Sequence, residues 1–290
     1  MEKPNSEICS ICKQQDISLL YVKDDYRIVR CNTCNVQLRV PQPSHEELRK
    51  IYANYYHPWK VENDVAEIIQ LSKTKTFERR LHEIQNYVRR GKILDVGCAA
   101  GYFLESAKNE GFEPYGVELS ESFFKETHHK LGDSIYRGTI EDIPCENNFF
   151  DVITMFDLLE HVKDPISTLR RCRKILMPNG IIAAVLPNTS SLTAKLMRKN
   201  WMHYKKEHLF YFSKKTISAL LKQESFDVIK VVPAIKVTSL KYLYYHQFKY
   251  HPRHPITVTL SILLKIVPQA LQKMSIPISL GEMFVLARKG

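Results

Sequence analysis

The sequence has no apolar signal segment in its first residues, where Met1-Glu2-Lys3-Pro4-Asn5 is polar. A secreted protein needs an apolar core there, so we expect a cytoplasmic protein. Internal repeats and low-complexity tracts are also missing, which excludes solenoid and fibrous architectures. In a reducing compartment the seven cysteines are expected to be metal ligands or free thiols rather than disulfide partners.

Acidic residues are scarce in the last part of the chain. From Val228 to Gly290 there are nine Lys/Arg and one acid, Glu282, in a chain whose formal net charge is +11. A basic surface attracts phosphates, nucleic acid or anionic lipid without selecting among them. The apolar stretch 256–274 is too short and too interrupted to span a bilayer. It is open to three interpretations: a packed lid helix, a peripheral contact with the inner face of the membrane, or an RNA-binding surface.

The order of elements along the chain predicts three regions. We expect a small module at 1–42, a helical linker or cap at 43–90 and a main domain at 91–290, with a helical insert at 234–281 before the last strand. In the cap, a capping box at Ser44-x-x-Glu47 predicts a helix through Tyr52, followed by an aromatic loop at 55–59 and a helix over 64–88.

Strands and helices alternate through the main domain, which predicts an α/β fold with a doubly wound, largely parallel sheet. The expected strands cover 92–96, 113–117, 134–137, 150–155, 180–186, 226–233 and 283–288. The 48-residue insert between the last two strands is longer than a bare loop, and segments of that kind are usually functional.

Residues 93–101, Ile-Leu-Asp-Val-Gly-Cys-Ala-Ala-Gly, form a short apolar strand that turns on glycine into a helix. Such a turn presents backbone N–H groups to a ligand. A second strand ends at Glu118, whose carboxylate can accept hydrogen bonds from a ribose diol. The Gly-x-Gly-x-x-Gly pattern of dinucleotide sites is missing, because the spacing here is Gly97-x-x-x-Gly101. The two segments therefore predict a nucleoside site without a pyrophosphate.

This pattern resembles motif I and the acidic strand end of class I S-adenosylmethionine methyltransferases. Three later segments, Gly138 to Pro144, Phe149 to Ile153 and Leu176 to Gly180, resemble further motifs of that family in the same order. The resemblance implies a Rossmann-like, seven-stranded sheet whose last strand runs antiparallel beside the sixth. It also implies S-adenosylmethionine as the cofactor, bound by Asp95, Gly97, Cys98, Ala99, Gly101, Glu118, Leu119, Glu141, Asp142 and Phe156.

The sequence departs from the family at Ala99, where a third glycine is usual. An alanine is tolerated there if its φ angle stays negative, and this is what we expect. Cys98 lies in the same turn, and with Cys145 and Cys172 it is expected to be a packing residue.

Four cysteines at the N-terminus form a different pattern. Cys9-Ser-Ile-Cys12 and Cys31-Asn-Thr-Cys34 are two CxxC pairs separated by eighteen residues. This spacing is typical of a tetrahedral zinc site, and four thiolates leave no open position on the ion. The cysteines therefore predict a structural Zn²⁺ and a small zinc ribbon.

His161 and His208 are the candidate catalytic residues. The fourth strand ends in Phe156-Asp157-Leu-Leu-Glu160-His161, at the edge where the reaction takes place in open α/β sheets. A histidine suits proton abstraction near neutral pH, although a scaffold role is open for both residues. Asp157-x-x-Glu160-His161 also resembles the Glu-x-x-Glu-His of ubiquinone-biosynthesis O-methyltransferases, where those side chains are linked to a divalent ion. Magnesium is therefore an alternative, and we prefer a site without it.

The preferred function is methylation of a small-molecule acceptor on oxygen. The cysteine pairs, Pro41-x-Pro43 and the main domain, in this order, resemble bacterial methyltransferases that act on sugars, glycans or lipid and quinone precursors. The alternative is an rRNA or tRNA methyltransferase whose ribbon helps to bind RNA. Against it, the Asn/Asp-Pro-Pro-Tyr/Phe motif of many amino-methylating enzymes is missing. The sequence names neither the acceptor nor the oligomeric state.

Overall fold

The computed structural model describes residues 8–23, 25–44, 46–48, 63–250 and 255–290. The strands are β1 (Ile17–Val22), β2 (Arg27–Cys31), β3 (Gln37–Val40), β4 (Gly91–Val96), β5 (Phe112–Glu118), β6 (Ile135–Arg137), β7 (Phe150–Phe156), β8 (Leu176–Pro187), β9 (Phe210–Tyr211), β10 (Phe226–Pro233), β11 (Lys236–Thr238), β12 (Ile276–Ile278) and β13 (Glu282–Lys289). The helices are α1 (Asn63–Gln85), α2 (Tyr102–Asn109), α3 (Glu121–Leu131), α4 (Pro165–Ile175), α5 (Leu192–Met197), α6 (Lys214–Gln223), α7 (Leu240–Tyr250), α8 (Pro255–Ile266) and α9 (Gln269–Gln272).

A seven-stranded mixed sheet forms the centre of the molecule, in the order β10-β13-β8-β7-β4-β5-β6. The pairs β4–β5, β4–β7, β5–β6 and β7–β8 are parallel. Strand β13 runs antiparallel to both of its neighbours, β8 and β10. The predicted seven-stranded sheet, with its last strand antiparallel beside the sixth, is confirmed.

Helices cover both faces of this sheet because its central strands are apolar on both faces. Adjacent residues of a strand point to opposite faces, as Ile93 and Leu94 do. Ile93 packs with Ile84 of α1 and Phe103 of α2. Leu94 belongs to the core on the other face, with Leu169 of α4. This layering leaves the carboxyl ends of β4, β5 and β7 open along one edge, where ligands bind in such sheets.

The N-terminal segment forms a second sheet of four strands in the order β1-β2-β3-β9. Its first three strands carry or adjoin the four cysteines, but β9 comes from the main domain. Leu38 pairs with Phe210 and Gln37 with Tyr211. The ribbon is therefore joined to the segment that carries His208 by backbone pairing.

The insert before β13 contains strands as well as the expected helices. Strands β11 and β12 pair antiparallel and enclose α7, α8 and α9 in sequence. Strand β11 also contacts α1, where the Val237 N–H donates to Thr76 Oγ1 at 2.9 Å. Within the described ranges, no helix is both long and apolar enough to cross a bilayer.

Some boundaries differ from the sequence prediction. Helix α1 ends at Gln85 rather than at Val88. Strand β8 begins at Leu176, and its register against β7 shifts between Phe150 and Val152 before regular pairing resumes at Ile181. The predicted capping box is present, because the Glu47 N–H donates to Ser44 Oγ at 3.1 Å and the Ser44 N–H donates to the Glu47 carboxylate at 2.7 Å. The rest of that helix and the aromatic loop at 55–59 lie outside the described residues.

Candidate active site

The turn between β4 and α2 places three residues in the left-handed backbone region. Gly97, Ala99 and Gly101 have φ angles of 78°, 45° and 79°. The expected negative φ at Ala99 is therefore wrong. Two hydrogen bonds hold the alanine: its N–H donates to Glu118 Oε2 at 2.9 Å, and its carbonyl accepts from Thr127 Oγ1 at 2.6 Å. These contacts offset a backbone strain of about 1–3 kcal/mol and fix the turn at the N-terminus of α2.

Glu118 ends β5 directly beside this turn. Its two carboxylate oxygens accept from the N–H groups of Ala99 at 2.9 Å and Ser120 at 2.7 Å. Burial raises the pKa of Glu118, and the N–H donors act against that rise. Each oxygen retains accepting capacity for a ribose hydroxyl, since a carboxylate offers about four lone-pair sites. Leu119 follows and is exposed at the same edge.

Asp95 lies under the turn, at the end of β4. Its Oδ1 accepts from Thr154 Oγ1 on β7 at 2.6 Å, and burial raises its pKa to about 7. Cys98 is also buried, and burial raises the pKa of its thiol. A protonated Cys98 thiol agrees with the packing role expected for it.

The segment after β6 brings Glu141 and Asp142 to the same edge. The Gly138 N–H donates to the Glu118 carbonyl at 3.1 Å, which ties this segment to the end of β5. Asp142 accepts from the Thr139 N–H at 2.7 Å and from its hydroxyl at 2.8 Å, and these bonds lower the pKa of Asp142. Its carboxylate therefore stabilises its own turn, whereas the side chain of Glu141 is exposed.

Phe156 ends β7 in an aromatic cluster with Phe77 and Phe103, at ring-centroid distances of 6.0 and 4.9 Å. The guanidinium of Arg80, from α1, lies 4.7 Å from the Phe156 ring centroid. Arg80 is only 5% exposed, and its Nε has no hydrogen-bond partner in the described part of the chain. No motif marks Arg80 in the sequence. Its position among Phe77, Leu81 and Ile84, on the apolar side of a helix, indicates a buried cation.

His161 and His208 come together beyond the carboxyl end of β7, with ring centroids 4.6 Å apart. His161 Nδ1 lies 3.1 Å from the Glu207 carbonyl. That contact favours the tautomer with the proton on Nδ1 and the lone pair on Nε2. Burial, with the nearby charge of Lys205, lowers the pKa of His161 to about 4. Burial also lowers the pKa of His208, so both imidazoles are neutral at physiological pH.

Glu160 joins the two histidines in a compact group. One donor atom each from Glu160, His161 and His208 lies within 4.8 Å of the others, which is close enough to share a divalent ion. Burial raises the pKa of Glu160, and its Oε2 and His208 Nδ1 have no hydrogen-bond partner in the described ranges. Asp157, which the sequence motif included, is not in this group. Two imidazoles with one carboxylate suit a transition metal better than magnesium.

Asp157 instead lies near the cations Lys236 and Arg80, and its side chain remains exposed to water. Desolvation by the surrounding protein would raise the pKa of Asp157, but the charges of Lys236 and Arg80 outweigh that effect and lower it. Lys236, from the insert strand β11, donates to Glu282 Oε1 at 2.7 Å. Lys236 was not predicted from the sequence because no motif surrounds it. The insert thus places a cation near Asp157.

The four N-terminal cysteines form a separate group at the ribbon. Their Sγ atoms all lie within 4.8 Å of one another, with Cys9–Cys34 at 3.6 Å and Cys12–Cys31 at 3.4 Å. Four thiolates in a compact group fit tetrahedral zinc. The two CxxC pairs therefore lie together, as their spacing predicts.

A family model described as "Methyltransferase domain" matches residues 51–231. The chain belongs to this methyltransferase family. The match covers more than half of the chain and includes the turn, Glu118, His161 and His208. Methyltransferase membership, which the motifs predicted, is confirmed.

Curated relatives of this methyltransferase match over shorter segments. A ubiquinone biosynthesis O-methyltransferase of Vibrio vulnificus (strain YJ016) is 37% identical over 97 residues, which are 31% of this chain and 40% of that enzyme. The enzyme of the same name from Histophilus somni (strain 2336) is 29% identical over 147 residues, 47% of this chain and 61% of that enzyme. The chain therefore spans between 40% and 61% of the length of these two relatives.

Solved structures agree with the class I methyltransferase fold. The 1,6-didemethyltoxoflavin-N1-methyltransferase of Burkholderia thailandensis, with bound 1,6-didemethyltoxoflavin and S-adenosylhomocysteine, has a TM-score of 0.54 at 14% identity, over 93% of this chain and 98% of that one. A SAM-dependent methyltransferase from Thermotoga maritima has a TM-score of 0.53 at 18% identity, over 84% of this chain and 99% of that one. At these identities the likeness establishes the fold alone.

Proposed function

We propose that this methyltransferase moves the methyl group of S-adenosylmethionine to an oxygen of a small-molecule acceptor, such as a sugar, a glycan or lipid precursor, or a quinone precursor. The observation that carries the proposal is the Ala99 turn held against Glu118 at the open edge of a class I sheet. The names of the Vibrio and Histophilus relatives favour a small oxygen acceptor. Nothing in these relatives favours the RNA alternative.

In this proposal the cofactor lies along the sheet edge. Glu118 accepts from the ribose hydroxyls, while Leu119, Glu141 and Asp142 line the adenine end. The turn Gly97–Gly101 and Asp95 face the methionine end, beside Phe156. Arg80 is the added residue: its buried guanidinium is suited to pair with the methionine carboxylate, because a planar cation can bind a carboxylate with two hydrogen bonds.

We propose His161 as the general base and His208 as the residue that positions it. The neutral His161 imidazole can accept a proton on Nε2 throughout the physiological range, because its pKa lies at about 4. A base of so low a pKa gives limited driving force. Alignment of acceptor and methyl group therefore supplies most of the rate.

His161→Ala is expected to lower the rate of methyl transfer by about 10²-fold or more while cofactor affinity stays nearly unchanged. Affinity is measured with S-adenosylhomocysteine, which binds without reacting. A parallel collapse of affinity and rate assigns His161 to the scaffold instead. Loss of activity with a chelator, restored by a divalent ion other than zinc, would make Glu160, His161 and His208 a metal site.

The experiment that tests the function uses purified full-length protein, methyl-labelled S-adenosylmethionine and a metabolite extract. Label is expected in a small molecule as an O-methyl group. Label in RNA instead overturns the acceptor class. The absence of any transfer, with S-adenosylhomocysteine bound, would identify a binding module.

A structural Zn²⁺ on Cys9, Cys12, Cys31 and Cys34 completes the proposal. The ion would hold the ribbon closed and would take no part in methyl transfer, since four thiolates leave no open position.

A further inference from the structure

Helix α8 in the insert exposes an apolar face. Its inner side, with the buried Thr257, packs on α7. On its outer side Val258, Ile262 and Ile266 are 51%, 51% and 72% exposed. These residues are four apart, so they form one stripe along the helix. A row of exposed valine and isoleucine side chains is unusual for a soluble surface and indicates an interaction site.

Exposed apolar side chains also follow the end of α8. Gln272 donates to the carbonyls of Leu264 at 2.8 Å and Val267 at 2.7 Å, which holds α9 against the end of α8. Beyond this junction Leu271 and Met274 are 49% and 53% exposed. We call the five residues Val258, Ile262, Ile266, Leu271 and Met274 the outer face.

The charge of the insert has one sign. Between Ala234 and Gly281 the sequence has six Lys/Arg and no Asp or Glu. Lys265 is exposed on α8 one turn from Ile262, and Lys273 is exposed between Leu271 and Met274. An apolar stripe flanked by lysines, in an insert that has no acidic residue, matches the interface of an anionic bilayer, where apolar side chains enter the acyl region and lysines meet the headgroups.

We propose that the outer face docks on the surface of an anionic lipid bilayer. A second copy of this chain is a poor occupant, because it would bring two all-cationic inserts together. Nucleic acid would leave the isoleucines against phosphates. The contact is peripheral, with α8 lying along the membrane, and it is independent of the methyl-transfer proposal because lipid binding is its readout.

The test measures binding of the full-length protein to phosphatidylcholine vesicles with and without phosphatidylglycerol. Intact protein is expected to sediment with the anionic vesicles. Ile262→Glu/Ile266→Glu should weaken that binding by at least about tenfold, since two buried apolar side chains are lost from the interface. The matched control is Leu19→Glu/Val22→Glu, which adds the same charges at exposed apolar positions of the ribbon strand β1 and should bind as the intact chain does.

A second variant tests the charge. Lys265→Gln/Lys273→Gln should weaken binding to the anionic vesicles by roughly fivefold for each lysine and leave the weak binding to neutral vesicles unchanged. Thermal unfolding midpoints are compared so that a folding defect is recognised.

Three results would overturn the proposal. Intact protein fails to bind anionic vesicles, or the ribbon control loses binding as much as the α8 variant does. Alternatively, the intact chain self-associates in sedimentation velocity and Ile262→Glu/Ile266→Glu abolishes that association, which assigns the outer face to a second copy.

Discussion

Arg80 is a buried cation with an incomplete set of hydrogen-bond partners among the described residues. Its guanidinium lies against two aromatic rings, and its Nε lacks a hydrogen-bond partner in the ranges described. A buried donor without an acceptor costs free energy of folding, and the nearby charge of Asp157 offsets only part of the cost of burying the cation. Such a residue makes physical sense at a site where an anionic ligand completes it, and enzymes commonly retain destabilising groups of this kind in their active sites.

Arg80→Met is therefore expected to weaken S-adenosylhomocysteine binding by about 10- to 100-fold, which corresponds to one lost charge-assisted interaction. The free energy of unfolding of the ligand-free protein should change little, because the relief from burying a charge is opposed by the lost attraction to Asp157. Calorimetric titration and chemical denaturation measure the two effects. The control is Arg79→Met, which changes the exposed neighbour on the same helix. Equal losses of affinity in both variants would contradict the role given to Arg80.

Asp95 is expected to make cofactor binding depend on pH. Its pKa is raised to about 7 by burial, so it is largely protonated below neutrality. The ammonium group of a bound cofactor favours the ionised carboxylate, and binding should release a proton. Affinity is expected to increase as pH rises toward 7 and to level off above it. Titration calorimetry in buffers of different ionisation enthalpy detects the proton, and Asp95→Asn should abolish both effects.

The residues predicted from sequence and the residues missed differ in their setting. Asp95, Gly97 and Glu118 lie at fixed spacings on consecutive elements, so a linear pattern identifies them. Arg80 comes near Asp157 from α1 and Lys236 comes near it from the insert, because elements remote in sequence pack together. Linear spacing carries no information on that packing.

At the scale of elements, Gly116 allows α2 to lie close on β5. A Cβ at this position would lie 2.8 Å from Cys98 Sγ, 2.8 Å from Leu104 Cδ1 and 3.0 Å from Ile135 Cδ1. The turn, helix α2 and strand β6 can therefore pack this closely around residue 116 only because it is a glycine.

Gly116→Ala is expected to lower the free energy of unfolding by about 1–3 kcal/mol through overpacking. Cys98→Ala removes one of the three clashing atoms. The double variant should therefore recover part of the loss, which a double-mutant cycle of denaturation measurements detects. Strict additivity of the two changes would show that Cys98 does not limit the space at Gly116.

The predicted elements were most accurate where periodicity was strong and least accurate at their ends. The seven strands of the central sheet were foreseen from alternation with helices, but β9 was not. Phe210 and Tyr211 make a strand of two residues, which exists only because Gln37 and Leu38 are beside it. A segment that short has no period of its own to detect.

At the scale of the whole molecule, the ribbon is linked to the main-domain segment that carries His208. Strand β3 pairs with β9, and Tyr26 Oη donates to the Tyr204 carbonyl at 2.9 Å. The backbone between those two contacts on the main-domain side includes His208. Changes in the ribbon should therefore reach the histidine pair.

Cys31→Ser is expected to abolish stoichiometric zinc binding and to open the ribbon, because a structural zinc contributes directly to the stability of its module. Amide hydrogen exchange should increase in β1 to β3 and also around Phe210. Metal analysis and exchange mass spectrometry measure these effects. Cys145→Ser is the matched control, since Cys145 lies outside the four-cysteine group. Increased exchange confined to β1 to β3 would show that the two parts are uncoupled.

The pairing of β3 with β9 also sets an order of events during synthesis. Gln37 leaves the ribosome 173 residues before Phe210, a delay of roughly ten to thirty seconds at cellular elongation rates. During that interval one edge of the ribbon sheet has no neighbour, and unpaired edges favour wrong association. Early capture of zinc by the four cysteines would keep the nascent ribbon compact until its last strand is made.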